Sequence, residues 1–241
     1  MIQDPSDELL AAVRRAGDDP TDADRQAVRL LQRRFGLALP APFAAIPPVG
    51  EPIPVRRAVA HDGPAIAAMK WRSWRVAYRG MLPDAYLDEL PVRPAPGYWT
   101  GLATLPPSRH HGLFVGGRPG TVLGACKVRP VRDDDLDPAE VAEIEILYLD
   151  PLVRRRGLGG ALLAAAVDHA HAQGTRDLSL WVAAANEPAR RFYEAQGWRP
   201  DGAAQRVELG DGVAMDEVRY RLRAGDASPP DALSSLQEAS G

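Results

Sequence analysis

The chain has 241 residues, 45% of them hydrophobic, which suits one domain of ordinary size with extensions or two small ones. A net charge of -3 gives no field that would draw the whole molecule onto nucleic acid or an anionic membrane. The single cysteine, Cys126, excludes an intrachain disulfide and a multi-cysteine metal site.

No run approaches the roughly 20 apolar residues of a membrane-spanning helix. Met1 to Ser6 shows no basic segment leading into an apolar stretch, so no signal peptide is expected and the protein reads as soluble and cytoplasmic. Residues 1–36 read as helical, with apolar clusters at Leu9, Leu10 and Val13 and at Val28, Leu30, Leu31 and Phe35, and with Thr21 and Asp22 where an N-cap belongs. Pro40, Pro42, Pro47, Pro48, Pro52 and Pro54 then break all periodicity. Residues 1–50 are therefore a helical extension with a proline-rich linker. Packing on the body, a homodimer contact and mobility are all open roles for it.

From Ile53 the pattern is compact α/β. Ile53 to Val59 reads as a strand. A helix runs from Pro64 through Tyr78 with Ile66, Met69, Trp74 and Tyr78 on one broad face, and a shorter one from Pro83 through Leu90. Leu113 to Val115 and Val122 to Val128 flank the turn Gly116-Gly117-Arg118-Pro119-Gly120, a hairpin signal. Asp133, Asp134 and Asp135 read as a solvated turn in preference to a metal site. Glu143 to Leu149 alternates as a strand, with Ile144, Ile146 and Tyr148 on one face and Glu143, Glu145, Leu147 and Leu149 on the other. Leu158, Leu162, Ala166 and Ala170 give the next helix a buried side, and Gly174 ends it. A strand follows at Leu178, Leu180 and Val182, then a helix from Pro188 to Gln196. Val207 and Leu209 pair with residues 213–222 around Gly210-Asp211-Gly212. Residues 224–241 are Ser, Pro, Ala and acid, a disordered tail by composition.

The segment Leu149 to Gly160 carries the chemistry. A strand, a glycine turn and a helix in immediate succession make an anion site, because first-turn N–H groups lack partners and the helix dipole adds positive potential. Glycine lets a phosphate approach the backbone, and Arg154, Arg155 and Arg156 add forked donors. A nucleoside-triphosphate loop would need Lys-Ser or Lys-Thr where Gly160-Ala161 stands. A dinucleotide fingerprint would need a glycine at position 162. Both fit poorly, and a tight turn with no ligand is the alternative.

The run Leu147-Tyr148-Leu149-Asp150-Pro151 followed by Arg154-x-x-Gly157-x-Gly159 and a helix resembles the cofactor motif of the GCN5-related N-acetyltransferase (GNAT) family. Asn186 to Trp198 is similar to that family's Asn-x(6)-Tyr-Glu-x-x-Gly-Phe segment, with Trp198 in the aromatic place. Trp74 to Leu87 resembles its substrate-side helix pair. The likeness covers about residues 53–223. It implies a mixed, mostly antiparallel central sheet flanked by helices, and acetyl-CoA as co-substrate with no metal. It implies that backbone groups of Leu147, Tyr148 and Leu149 bind the pantetheine arm. Backbone N–H groups of Arg155, Arg156, Gly157, Leu158, Gly159 and Gly160 would hold the pyrophosphate, and Asn186 would reach the cofactor near its amide or reactive end.

Transfer to an amine requires that an alkylammonium of pKa about 10.4 lose a proton and that a thiolate of parent pKa about 8.5 gain one. Tyr193 is the expected acid. Some members of the family carry a glutamate where this chain has Trp181, so Glu145 is the expected base, with Glu143 second. Trp74 and Tyr78 are expected to line the acceptor pocket. Cys126 reads as a core residue in preference to a nucleophile, His169 and His171 as surface residues in preference to a metal pair, and His110 and His111 as loop. The acceptor is a small amine, an amino acid or antibiotic, or a protein amine. The competing reading is a non-catalytic acyl-CoA sensor or scaffold, kept open by Trp181.

Overall fold

The computed structural model describes residues 47, 51–90, 96–108 and 111–224. The helices expected within 1–36 and the tail beyond Ala224 lie outside the described residues, as does His110. The elements are β1 (Val55–Arg57), α1 (Gly63–Ala77), α2 (Asp84–Glu89), α3 (Pro96–Thr104), β2 (Gly112–Gly116), β3 (Gly124–Pro130), β4 (Val141–Leu149), α4 (Leu158–Ala172), β5 (Asp177–Ala183), α5 (Glu187–Ala195), β6 (Arg199–Gly210) and β7 (Val213–Leu222). They build one seven-stranded sheet in the order β1-β2-β3-β4-β5-β7-β6. Every pair is antiparallel except β4 with β5, so the expected mixed, mostly antiparallel sheet is what forms. The first strand is shorter than Ile53 to Val59. Helix α3, whose Trp99 packs under the sheet, was not expected at all.

Two apolar layers cover the sheet. On one face α4 and α5 bury Leu158, Leu162, Ala166, Ala170 and Tyr193 against Cys126, Ile144, Leu178, Leu180 and Trp198. On the other, α1 and α3 bury Ile66, Met69 and Trp99 against Leu113, Val115 and Ala125. Helix α4 lies close on β2 and β3 because glycines form its floor. A Cβ at Gly112 would stand 2.5 Å from His169 Cδ2, one at Gly124 would stand 2.8 Å from Leu162 Cδ1, and one at Gly116 would meet Leu158.

Strand β4 is not a simple alternation. Lys127 faces Ile146 and Val128 faces Ile144, so Glu145 is an extra residue, a bulge. The bulge shifts the side-chain phase. Ala142 and Ile144 point to the α4 side, and beyond the bulge Leu147 and Leu149 take over that side. Ile146 and Tyr148 turn to the α1 side. The expected common face for Ile144, Ile146 and Tyr148 is thereby corrected, as is the grouping of Leu147 and Leu149 with the glutamates.

The parallel β4–β5 ladder runs only from Val141↔Asp177 to Ile144↔Leu180. Beyond it β4 stays with β3 as far as Leu149, while β5 stays with β7 as far as Ala183. The sheet splays open between Glu145–Leu149 and Trp181–Ala183, leaving an unpaired edge on each strand.

Candidate active site

The splay is framed by two helix starts. After β4, Asp150 caps the short 3-10 turn Pro151–Val153 by accepting from Leu152 N at 3.1 Å, and its own N–H donates to Leu123 O at 2.8 Å. Asp150 is buried, and Arg72 on α1 meets its Oδ2 through Nε at 2.9 Å and through a second guanidinium nitrogen at 2.8 Å. This ion pair fixes the loop to the opposite layer. The chain then turns through Arg155 (φ 59) and Gly157 (φ 76), both left-handed, into α4. The first helical bond there is Ala161 N to Gly157 O at 3.1 Å, so the N–H groups of Leu158, Gly159 and Gly160 have no partner within the helix. Gly159 lets this end press in: a Cβ there would lie 3.3 Å from Leu149 Cδ1 and 3.4 Å from Phe192 Cζ. Arg155 is exposed, and Arg156 donates to Pro47 O at 2.9 Å.

Across the opening, Asn186 caps α5, its Oδ1 accepting from Ala189 N at 3.2 Å. Tyr193, 8% exposed, sits about two turns on, among Phe192, Trp198 and Tyr220. Burial pushes its hydroxyl far above the ordinary range, and Cys126 and Tyr148 nearby add to this. It is held protonated, as a proton donor must be. Cys126 is fully buried, and burial alone pushes its thiol up, so it is a core residue of β3 and a poor nucleophile.

Glu143 and Glu145 both meet cations of β3. Glu145 pairs with Lys127 and, at 3.1 Å, with Arg129 Nε. Glu143 takes Arg129 at 2.9 Å. Burial pushes Glu143 up to about 7, with Arg129 opposing and Asp133 and Glu145 reinforcing. A cleft of about 370 Å³, lined by Leu102, His111, Lys127, Arg129 and Arg132, opens beside this ion cluster.

Above the bulge the α1 side is aromatic. Trp74 stands 4.8 Å from Tyr78 and 6.4 Å from Tyr148, ring centre to ring centre. Trp74 is buried, and its indole eases the burial-driven rise of the Tyr148 hydroxyl's pKa as a hydrogen-bond donor would. Lys70 lies over Trp71 at 4.5 Å and Trp74 at 5.2 Å, and burial lowers its ammonium pKa against the pull of Glu145. Tyr86 hydroxyl donates to Leu209 O at 3.2 Å and ties α2 to the β6–β7 hairpin.

Two surrounding expectations change. The Asp133–Asp135 loop is not merely solvated: Asp133 and Asp135 hold Arg219 at 3.1 and 2.6 Å, with Asp201 at 2.8 Å on its other side. Trp181 donates to Asp133 at 3.1 Å and lies beside the Arg219 guanidinium, so it closes this cluster beneath the splay. His169 is buried, bonded to Arg57 at 2.9 Å and to Ser108 O at 3.0 Å, and is no surface residue. Among the described residues no group of three His, Cys, Asp or Glu side chains is placed to hold a metal ion.

Some residues that shape the site gave no local signal. Arg72 finds Asp150 from 78 positions away. Glu217 on β7 becomes visible only once β7 is known to lie beside β5. The cap at Asp150 does carry a local signal, Asp before Pro at a helix start, though it was not among the expectations above.

With this geometry in place, comparison with known proteins is specific. Residues 71–198 match the model of the acetyltransferase (GNAT) family. The chain is 31% identical over 173 residues to the probable N-acetyltransferase Rv2775 of Mycobacterium tuberculosis, covering 70% of this chain and 93% of that protein. Among solved structures, the PaiA N-acetyltransferase of Thermoplasma acidophilum, in complex with coenzyme A, superposes with a TM-score of 0.56 at 18% identity, over 72% of this chain and 99% of that one. YncA of Salmonella typhimurium, solved with its cofactor acetyl-CoA, gives 0.52 at 19% identity, over 76% and 99%. The chain belongs to the GNAT family of acetyltransferases, and it is an acyltransferase.

Proposed function

We propose that the protein transfers an acetyl group from acetyl-CoA to a primary amine by direct attack within a ternary complex. The observation that carries this is the β4–β5 splay, with an unpaired strand edge on one side and the start of α4 at its end. That arrangement suits a long ligand with amides along one part and a pyrophosphate at the other. Backbone groups of Leu147, Tyr148 and Leu149 would pair with the pantetheine amides as an added strand would. The N–H groups from Arg155 to Gly160 would receive the pyrophosphate, with Arg154 and Arg155 supplying charge. Arg156, which already donates to Pro47 O, would act more through its backbone than its side chain. Asn186 spends its oxygen on the helix cap, leaving its NH2 for the acyl end of the cofactor.

The attacking nitrogen forms a bond to the thioester carbon as the carbon–sulfur bond breaks, and Tyr193 protonates the departing sulfur. The proton lost by the amine goes to the Glu143–Glu145 pair. Glu145 stands just past the last β4–β5 partner, at the mouth of the splay, but it is committed to Lys127 and Arg129. Glu143, pushed up to about 7, has the basicity that neutral pH rewards. We therefore assign proton uptake to Glu143, through water, and the orientation of that water to Glu145. The 370 Å³ cleft beside Arg129 gives the proton a path to solvent. The test is thiol release from acetyl-CoA with a panel of amines. Release that requires an amine supports the proposal. Cofactor binding without amine-dependent release across a broad panel would instead establish a sensor.

A further inference from the structure

Strand β7 places one carboxylate that the chemistry above does not use. Glu217 lies opposite Ala183 on β5 and opposite Gln205 on β6. Alternation along β7 puts it on the same face as Met215 and Arg219. Ala183 and Met215 are buried against Trp74, with Tyr78, Tyr148 and Tyr86 packed around them. Glu217 therefore looks into the aromatic cluster from the sheet. Gln205 Nε2 steers it by donating to Oε2 at 2.8 Å. Both tyrosines feel its charge: burial raises Tyr78 well above its ordinary range, with Tyr148 and Glu217 adding to it, and burial pushes Tyr148 up to about 12, with Glu217 again contributing. Burial also raises Glu217 itself against the Gln205 hydrogen bond.

Elsewhere in the same aromatic cluster a cation is already seated. Lys70 lies over Trp71 and Trp74, so these rings accept positive charge. Glu217 is one strand beyond β5, whereas Glu143 and Glu145 are on β4, on the other side of the splay. Adjacent strands are about 4.8 Å apart, so Glu217 stands on the order of 5–10 Å from a nitrogen reacting in the splay.

We infer that Glu217, with Tyr78 and Tyr148, recognises a second positive charge on the acceptor, so that the preferred substrate is an amine carrying another cationic group several bonds from the reacting nitrogen. This rests on the reading of the cleft as the acceptor side of an acetyltransferase. A half-buried carboxylate on the face of these electron-rich rings holds an alkylammonium by ion pairing and by cation–π attraction, whereas an acceptor with an alkyl end leaves it partly desolvated with only Gln205 for a partner.

The test compares 1,4-diaminobutane with n-butylamine, which differ only in the second amino group. The wild-type protein is expected to favour the diamine in kcat/KM by about tenfold or more. Glu217→Gln, which keeps the shape and a hydrogen-bonding partner for Gln205, is expected to lower that ratio about tenfold through KM for the diamine, and Glu217→Asp to restore part of it. A ratio identical in wild type and Glu217→Gln would overturn the inference while leaving the acetyltransferase reading intact. If neither amine supports turnover, calorimetric titration of the acetyl-CoA complex with 1,4-diaminobutane decides. A Kd weakened about tenfold by Glu217→Gln upholds cation recognition, and equal or absent binding in both proteins refutes it.

Discussion

At the scale of single residues, the site depends on placing groups of ordinary chemistry where burial changes their behaviour. In the proposed mechanism Tyr193 serves as the acid, and burial keeps its hydroxyl protonated for that role. Tyr193→Phe should therefore lower kcat by about 10²-fold with little change in KM for acetyl-CoA, as steady-state kinetics would read. Glu143 follows the opposite logic. A carboxyl pushed up to about 7 is protonated below that pH and is a base above it, so kcat/KM for the amine should rise through about pH 7 and level off. Glu143→Gln should remove that limb. Glu145→Gln should lower the rate across the whole range and move the limb toward lower pH, since the Glu145 charge helps to raise Glu143, whereas a limb that vanishes with Glu145→Gln and survives Glu143→Gln would reverse the two roles. The sequence placed both glutamates on the right strand. It ranked Glu145 first, and the proposal here reverses that order, because the ranking depends on which cations of β3 each one meets, and that is set by the bulge at Glu145.

Elements carry the next level of the argument. Helix α4 must present its first turn at the end of the splay, and it can do so only because glycines of β2 and β3 let it lie close. Gly124→Val should destabilise the fold by about 1–3 kcal/mol, since the new side chain must displace Leu162 and Leu149. The same change should raise KM for acetyl-CoA, because the helix start moves with the helix. Chemical denaturation and initial-rate measurements together check both effects. A loss of stability with an unchanged KM would mean that the helix is not what positions the cofactor. The strands and helices that border the site were largely legible, because their periodicities are local. Helix α3 was not: Tyr98 and Trp99 lie in a proline-flanked stretch whose helical state is decided by packing under Leu113 and Val115. The alternation of β4 misled for a similar reason, since a bulge inserts one residue without marking the sequence.

At the scale of the whole molecule, the splay divides the work between two layers. The α4–α5 layer supplies the helix starts and Tyr193, and the α1–α2 layer supplies the aromatic wall. Arg72 crosses between them to hold Asp150. Arg72→Met should leave Asp150 buried without its cation and loosen the cofactor loop, costing about 3–5 kcal/mol if the loop cannot relax. Acetyl-CoA should recover part of this loss, as the rise in Tm with ligand concentration would record. Seven strands in this order were not deducible from the sequence, because the placing of β7 between β5 and β6 follows from long-range pairing and no local pattern. Membership of an acyl-CoA-binding family was legible, since the two motifs carrying it are continuous segments.

The central claim is direct attack by an amine on acetyl-CoA while both are bound. The measurement that tests it most directly is the initial rate of thiol release with both substrates varied. A ternary complex predicts double-reciprocal lines that intersect, with no thiol released when the amine is left out. Parallel lines, with a burst of thiol before any amine is added, would contradict the account and point to an acyl-enzyme.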